Sequence, residues 1–127
     1  MNIILLIEDD ELTRSMVAGS LRKDHFEVLE AENGALGLNE LRMHEAEPPS
    51  IVITDIIMPD KEGFETIKEI KKFSPHIKII AISGGGDAQD KKMLLDVAMM
   101  LGADKTLQKP FKSEELLEAV RILLAPS

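Results

Sequence analysis

Four short segments of this chain carry residue types that could do chemistry. They are Glu8-Asp9-Asp10-Glu11, Asp55, Ser83 with the glycines 84 to 86, and Lys109-Pro110. Carboxylates drawn from two of these segments would form a hard oxygen site, suited to Mg²⁺ with its few carboxylates, waters and phosphate oxygens. A carboxylate can also be a nucleophile that forms an acyl phosphate. Phosphoryl transfer needs in-line geometry and positive charge on the equatorial oxygens. A divalent ion and Lys109 would supply that charge, while the Ser83 hydroxyl and glycine N–H groups would bind phosphate oxygens. Taken singly, each segment has a plainer reading. Acids before a helix offset its dipole, an Asp after a strand caps or turns, Ser-Gly-Gly-Gly is a flexible turn, and Lys before Pro is solvated. What favours the chemical reading is that each segment follows a different candidate strand.

Those strands are Ile3–Ile7, Glu27–Ala31, Ile51–Thr54, Ile77–Ile82 and Lys105–Gln108. The first, third and fourth are runs of Ile, Val and Leu without alternation, as in strands covered on both faces. The second and fifth are more polar, as edge strands are. Between them lie amphipathic segments that predict helices over Leu12–Lys23, Ala35–Glu45, Phe64–Phe73, Asp90–Leu101 and Glu114–Leu124. Ser113 reads as the N-cap of the last helix, with Leu116, Val120 and Leu123 at helical spacing. Breakers fall at Asn33-Gly34, Pro48-Pro49, Ser74-Pro75 and the glycines 84 to 86. Five βα units in series imply an α/β fold, a five-stranded parallel sheet with helices on both faces. In such a sheet the ligand crevice lies outside the carboxyl ends of the strands, where the four segments fall.

Composition narrows the classes. The 127 residues suit one domain, and 44% apolar with 30% charged residues is ordinary for a globular protein. A net charge of −8 argues against a nucleic-acid or anionic-membrane surface. With no cysteine, disulfides, thiolate nucleophiles and sulfur-ligated metals are excluded. No apolar run approaches the ~20 residues that span a bilayer, and the start lacks a signal-peptide pattern. The expectation is a cytoplasmic single domain over residues 1–127, with no effector domain.

The stretches Ile3-Ile-Leu-Leu-Ile-Glu-Asp-Asp-Glu11, Thr54-Asp-Ile-Ile-Met-Pro-Asp-Lys-Glu-Gly63 and Gly102-Ala-Asp-Lys-Thr-Leu-Gln-Lys-Pro-Phe111 resemble the receiver domain of bacterial response regulators. The resemblance covers nearly the whole chain. It implies the flavodoxin-like strand order 2-1-3-4-5 and a place in a two-component system or phosphorelay. Asp55 would be the phosphoacceptor. Asp9 would bind Mg²⁺ directly (Mn²⁺ as a substitute), Glu8 through water, and Ile57 through its backbone carbonyl. Ser83 would be the site hydroxyl and Lys109 the phosphate-binding lysine, with a cis Lys109–Pro110 peptide. The donor would be a histidine kinase or histidine phosphotransfer protein, docking on the first-helix face of Thr13, Met16 and Ser20. Such a domain catalyses only its own phosphorylation and dephosphorylation and switches conformation to change partner binding.

Two departures from the family pattern bear on that switch. Thr106 stands three positions before the lysine, where the family has Tyr or Phe, and the segment from Ser83 to Gly102 is a few residues longer. The signal is therefore expected to run through Ser83 and the Gly84–Asp90 loop into the fourth helix. There Leu94, Val97, Ala98 and Leu101 read as the core stripe, and Leu95, Met99 and Met100 as residues left over for a downstream partner. The family uses the fourth helix, fifth strand and fifth helix for targets or for self-association as a homodimer.

Competing functions are distinguishable. A phosphorylation-independent pseudo-receiver, acting as a binding module, would lack the acceptor, the acids or the lysine. An aspartate-nucleophile phosphatase needs a second Asp two positions after the first, where Ile57 stands and cannot donate a proton. A flavodoxin-like electron carrier would not place four acids where a phosphate must bind. No Walker-type loop follows Gly84. The histidines 25, 44 and 76 read as surface residues, and the phenylalanines 26, 64, 73 and 111 as core or rim packing.

Overall fold

Strands and helices alternate along the whole chain in the computed structural model, which describes residues 2–56, 62–84 and 88–126. The elements are β1 (Ile3–Ile7), α1 (Glu11–Lys23), β2 (Glu27–Ala31), α2 (Gly34–Met43), β3 (Ile51–Asp55), α3 (Glu62–Phe73), β4 (Lys78–Ser83), α4 (Ala88–Leu101), β5 (Lys105–Gln108) and α5 (Ser113–Leu124). All strand pairings are parallel and the order is β2-β1-β3-β4-β5. The sequence placed every element, with boundaries shifted by up to two residues at either end. The polar strands β2 and β5 are indeed the edges. The order reverses between β1 and β3, which opens the crevice where such sheets hold ligands.

Strand alternation divides the core into two layers. Ile4 and Leu6 of β1, Ile51 and Ile53 of β3, and Ile80 and Ile82 of β4 face Val17, Ala18 and Leu21 of α1 and Leu116, Ala119 and Val120 of α5. Leu5, Ile7, Val52, Ile79 and Ala81 face the other way, towards Leu41 of α2, Ile67 and Ile70 of α3, and Leu95 and Ala98 of α4. Both faces of the central strands are therefore dry, which is why these strands read as unbroken apolar runs.

Two expectations are corrected. Leu95 is a core residue, 6% exposed, whereas Val97 is only half-buried. Around a helix the stripe centred on Ala98 takes in the neighbours three and four positions away, which are Leu94, Leu95 and Leu101, and leaves Val97 on the flank. Truncating Leu95 to alanine would cost about 2–5 kcal/mol by opening a cavity. It belongs to the fold and not to a contact surface, while Met99 and Met100 are exposed as expected. The N-cap of α5 is Lys112, not Ser113. The Glu115 carboxylate accepts from the Lys112 N–H at 3.3 Å and takes over the capping. Ser113 is thereby freed to share a 3.0 Å hydrogen bond with Ser20 of α1.

Candidate functional site

The same alternation that builds the core delivers the charged residues. Glu8 follows Ile4 and Leu6 in phase, Asp55 follows Ile51 and Ile53, and Lys109 follows Leu107. Ladder bonds run one residue past the strands, from Glu8 N–H to the Ala31 carbonyl at 3.0 Å and from Lys109 N–H to the Ser83 carbonyl at 2.7 Å. All three side chains thus emerge at the carboxyl edge on the α1/α5 side. There Lys109 Nζ donates to Glu8 Oε1 at 2.6 Å and to Asp55 Oδ2 at 2.9 Å.

Glu8, Asp9 and Asp55 each bring a carboxylate oxygen within 4.8 Å of the others'. Glu8 and Asp55 are buried and Asp9 is exposed. Burial pushes the Glu8 carboxyl up to about 7; the negative charge of Asp55 adds to this, and the bond from Lys109 opposes it. Burial alone would lower Lys109, but its bonds to Glu8 and Asp55 outweigh that and raise it, so the ammonium stays charged. Three carboxylates thus crowd one edge, Lys109 bridges two of them, and burial works against the charge on Glu8. A hard oxygen donor set short of positive charge fits a small divalent cation.

Local sequence explains the rest of the arrangement. Asp10 caps α1, accepting from the Thr13 N–H at 2.8 Å and the Thr13 hydroxyl at 2.6 Å. Those bonds hold its carboxyl below the usual range, so it stays ionised at the helix N-terminus. The Ser83 hydroxyl is fully buried and has no hydrogen-bond partner among the described residues. A buried hydroxyl is rarely left so, and the orphan fits a group that accepts a bond from outside the chain. A Cβ at Gly84 would stand 2.6 Å from Lys109 Cδ, so glycine there leaves room for the lysine stem. The Lys109–Pro110 peptide is cis.

A cavity of about 810 Å³ opens beside these groups, lined by Thr13, Met16 and Ser20 of α1, by Asp55, Gly84 and Lys109, and by Phe111 and Leu116 among others. The α1 face expected to receive a donor therefore shares a wall with the proposed acceptor, and Met16 on it is 65% exposed. Leu95 and Met99 on α4 and Thr106 on β5 do not line this cavity. Ile57 and the glycines 85 and 86 lie outside the described residues. Sequence reasoning passed over Arg14, whose Nη1 donates to the Glu8 carbonyl at 2.8 Å. A signal was present: an arginine one turn into a helix that otherwise opens on acids runs against the helix dipole.

Comparison with known proteins agrees with this geometry. The chain is 36% identical over 118 residues to the chemotaxis protein CheY of Bacillus subtilis, covering 92% of each. It is 32% identical over 127 residues to a CpxR homolog, a transcriptional regulatory protein of Haemophilus influenzae, but spans only 52% of that protein. A crystal structure of a receiver domain protein from Clostridium thermocellum superposes with a TM-score of 0.85 at 31% identity, covering 98% of this chain and 94% of that one. No helix among the described residues is long and apolar enough to cross a membrane. The response regulator receiver domain model matches residues 4–121, and the chain belongs to that family, the signalling modules of two-component systems.

Proposed function

We propose that this chain takes a phosphoryl group onto Asp55 from a phosphohistidine of a kinase or phosphotransfer protein, in a Mg²⁺-dependent reaction. The observation that supports this best is the meeting of Glu8, Asp9 and Asp55 within 4.8 Å, with Asp55 lining the cavity. A carboxylate oxygen of Asp55 attacks phosphorus, the P–N bond breaks, and its electron pair stays on the donor imidazole nitrogen, which then takes a proton. Glu8 and Asp9 would hold the divalent ion, which supplies charge neutralisation on the phosphoryl oxygens. The Ile57 carbonyl is proposed as a further ligand. Lys109, already 2.9 Å from Asp55, keeps a positive charge beside the acceptor throughout. Ser83 offers its hydroxyl to a phosphoryl oxygen.

Intact-mass measurement with acetyl phosphate tests this. A single acid-stable, base-labile phosphate adduct is expected with Mg²⁺ or Mn²⁺. An equal yield from Asp55→Asn, or one independent of metal, refutes it. A chain that takes no phosphate from any donor yet still binds its partner would be the pseudo-receiver.

For output we propose that the change runs from Ser83 into α4 and ends on Met99, not on the buried Leu95. Amide-exchange changes on beryllofluoride binding are then largest from Ser83 to Leu101. Ser83→Ala suppresses them and Thr106→Ala does not. Loss of partner binding in Thr106→Ala alone would place the route in β5 instead.

A further inference from the structure

Glu8 is held from both sides. Its carboxylate turns in towards Lys109, while its backbone carbonyl accepts from Arg14 Nη1 at 2.8 Å. Arg14 is itself anchored on the edge strand, its Nε 3.5 Å from Glu30 Oε1. The other oxygen of Glu30 lies 2.9 Å from Arg22 Nη2, and Arg22 also donates to the Val28 carbonyl at 3.1 Å. Glu30 sits on the α1 side of β2, in phase with buried Val28. The guanidinium of Arg14 therefore spans from the β1–α1 loop to β2, using different nitrogens for each. Lysine, with its charge on a single atom, has no such fork.

Resting on the metal-dependent reading of the acidic site, we infer that Arg14 is a positioning residue for that site. By bracing the Glu8 carbonyl against Glu30, it fixes the loop that carries Glu8 and Asp9, so that their carboxylates stay within reach of Asp55. The plain alternative is a surface ion pair worth little. The two accounts differ in sign as well as size. A guanidinium acting only as a charge repels a nearby dication, so its removal would tighten Mg²⁺ binding. Removing a brace lets the loop spread and loosens it.

The test is calorimetric Mg²⁺ titration of the wild type, Arg14→Ala, Arg14→Lys, Glu30→Gln and Arg22→Ala, together with acetyl-phosphate labelling rates across Mg²⁺ concentration. Arg14→Ala is expected to weaken Mg²⁺ binding about tenfold, the low end of the range for groups that orient metal ligands. Arg14→Lys should recover part of the loss and Glu30→Gln should show a smaller one. Arg22→Ala, which does not touch Glu8, should stay within about twofold of the wild type. At saturating Mg²⁺ the labelling rate of Arg14→Ala should return to the wild-type value, because the acceptor itself is untouched. Unchanged or tighter Mg²⁺ binding in Arg14→Ala overturns the inference, as does a rate that stays low at saturation. If Arg14→Ala does not fold, Arg14→Lys and Glu30→Gln carry the same comparison. Absence of Mg²⁺ binding in the wild type would instead overturn the metal reading on which the inference rests.

Discussion

Two lysines meet carboxylates at opposite edges of the same sheet, and they do so in different ways. At the amino edge of β4 and β5, Lys71 Nζ donates to Asp104 Oδ2 at 3.2 Å and to the Ile77 carbonyl at 3.0 Å, while the same Asp104 oxygen accepts from the Ile79 N–H at 2.8 Å. One cation meets one anion, and backbone groups take up further bonding capacity. At the carboxyl edge, Lys109 meets Glu8 and Asp55, with Asp9 close by. Among the described residues that charge is unbalanced, and Glu8 is pushed up to about 7. A balanced pair of this kind fastens the chain. An unbalanced one holds affinity for positive charge from outside, at a cost in stability while none is bound.

Removing each lysine is the strongest way to break this comparison. Lys109→Ala leaves two buried carboxylates facing each other. In metal-free protein it should cost roughly 2–3 kcal/mol, at or below the usual figure for an orphaned buried charge because the ammonium is partly exposed. Much of that loss should be recovered with saturating Mg²⁺. Paired chemical denaturation curves, with Mg²⁺ and with chelator, measure both quantities. A loss that ignores Mg²⁺ would show that Lys109 is a fastener like Lys71.

The next effect is in pH. Glu8 titrates near 7 in the folded chain against an ordinary 4.5. Between those values the folded state holds a proton that the unfolded state has lost. Metal-free stability should therefore be full below about pH 4.5 and decline as pH rises through 7, by about 3 kcal/mol. Glu8→Gln should flatten the decline. Because metal ligation needs the deprotonated acid, the stabilisation by Mg²⁺ should grow across the same window. Urea melts at intervals from pH 4.5 to 8 decide the sign.

The smallest expected effect is at the other lysine. Lys71→Met should cost about 1 kcal/mol, as for a partly exposed pair with one added hydrogen bond. The cost should be the same with and without Mg²⁺.

Much of this was readable in the sequence because it depends on periods of two and 3.6. The unalternating runs at 3–7 and 51–54 marked central strands, and the strand ends then pointed to Glu8, Asp55, Ser83 and Lys109. What the sequence left open depends on distances between elements. Lys109 and Glu8 are 101 positions apart, and only the sheet order brings them together. The place of Leu95 turned on which side of α4 meets β4 and α3, and apolar residues on both flanks gave the helical period no way to choose. Arg14 and Glu30 went unnoticed because an arginine on a helix and a glutamate on an edge strand read as solvated until their shared contact is seen. Ser113 looked like a cap by residue type, yet the Glu115 carboxylate one turn on moved the cap to Lys112.

The proposed divalent-ion site at the carboxyl edge is the feature on which the function depends. Thermal melting at pH 7.5 with and without millimolar Mg²⁺ tests it most directly. Mg²⁺ should raise the midpoint of the wild type and leave that of Asp9→Ala/Asp55→Ala unmoved. No rise in the wild type, or an equal rise in the double variant, would contradict it.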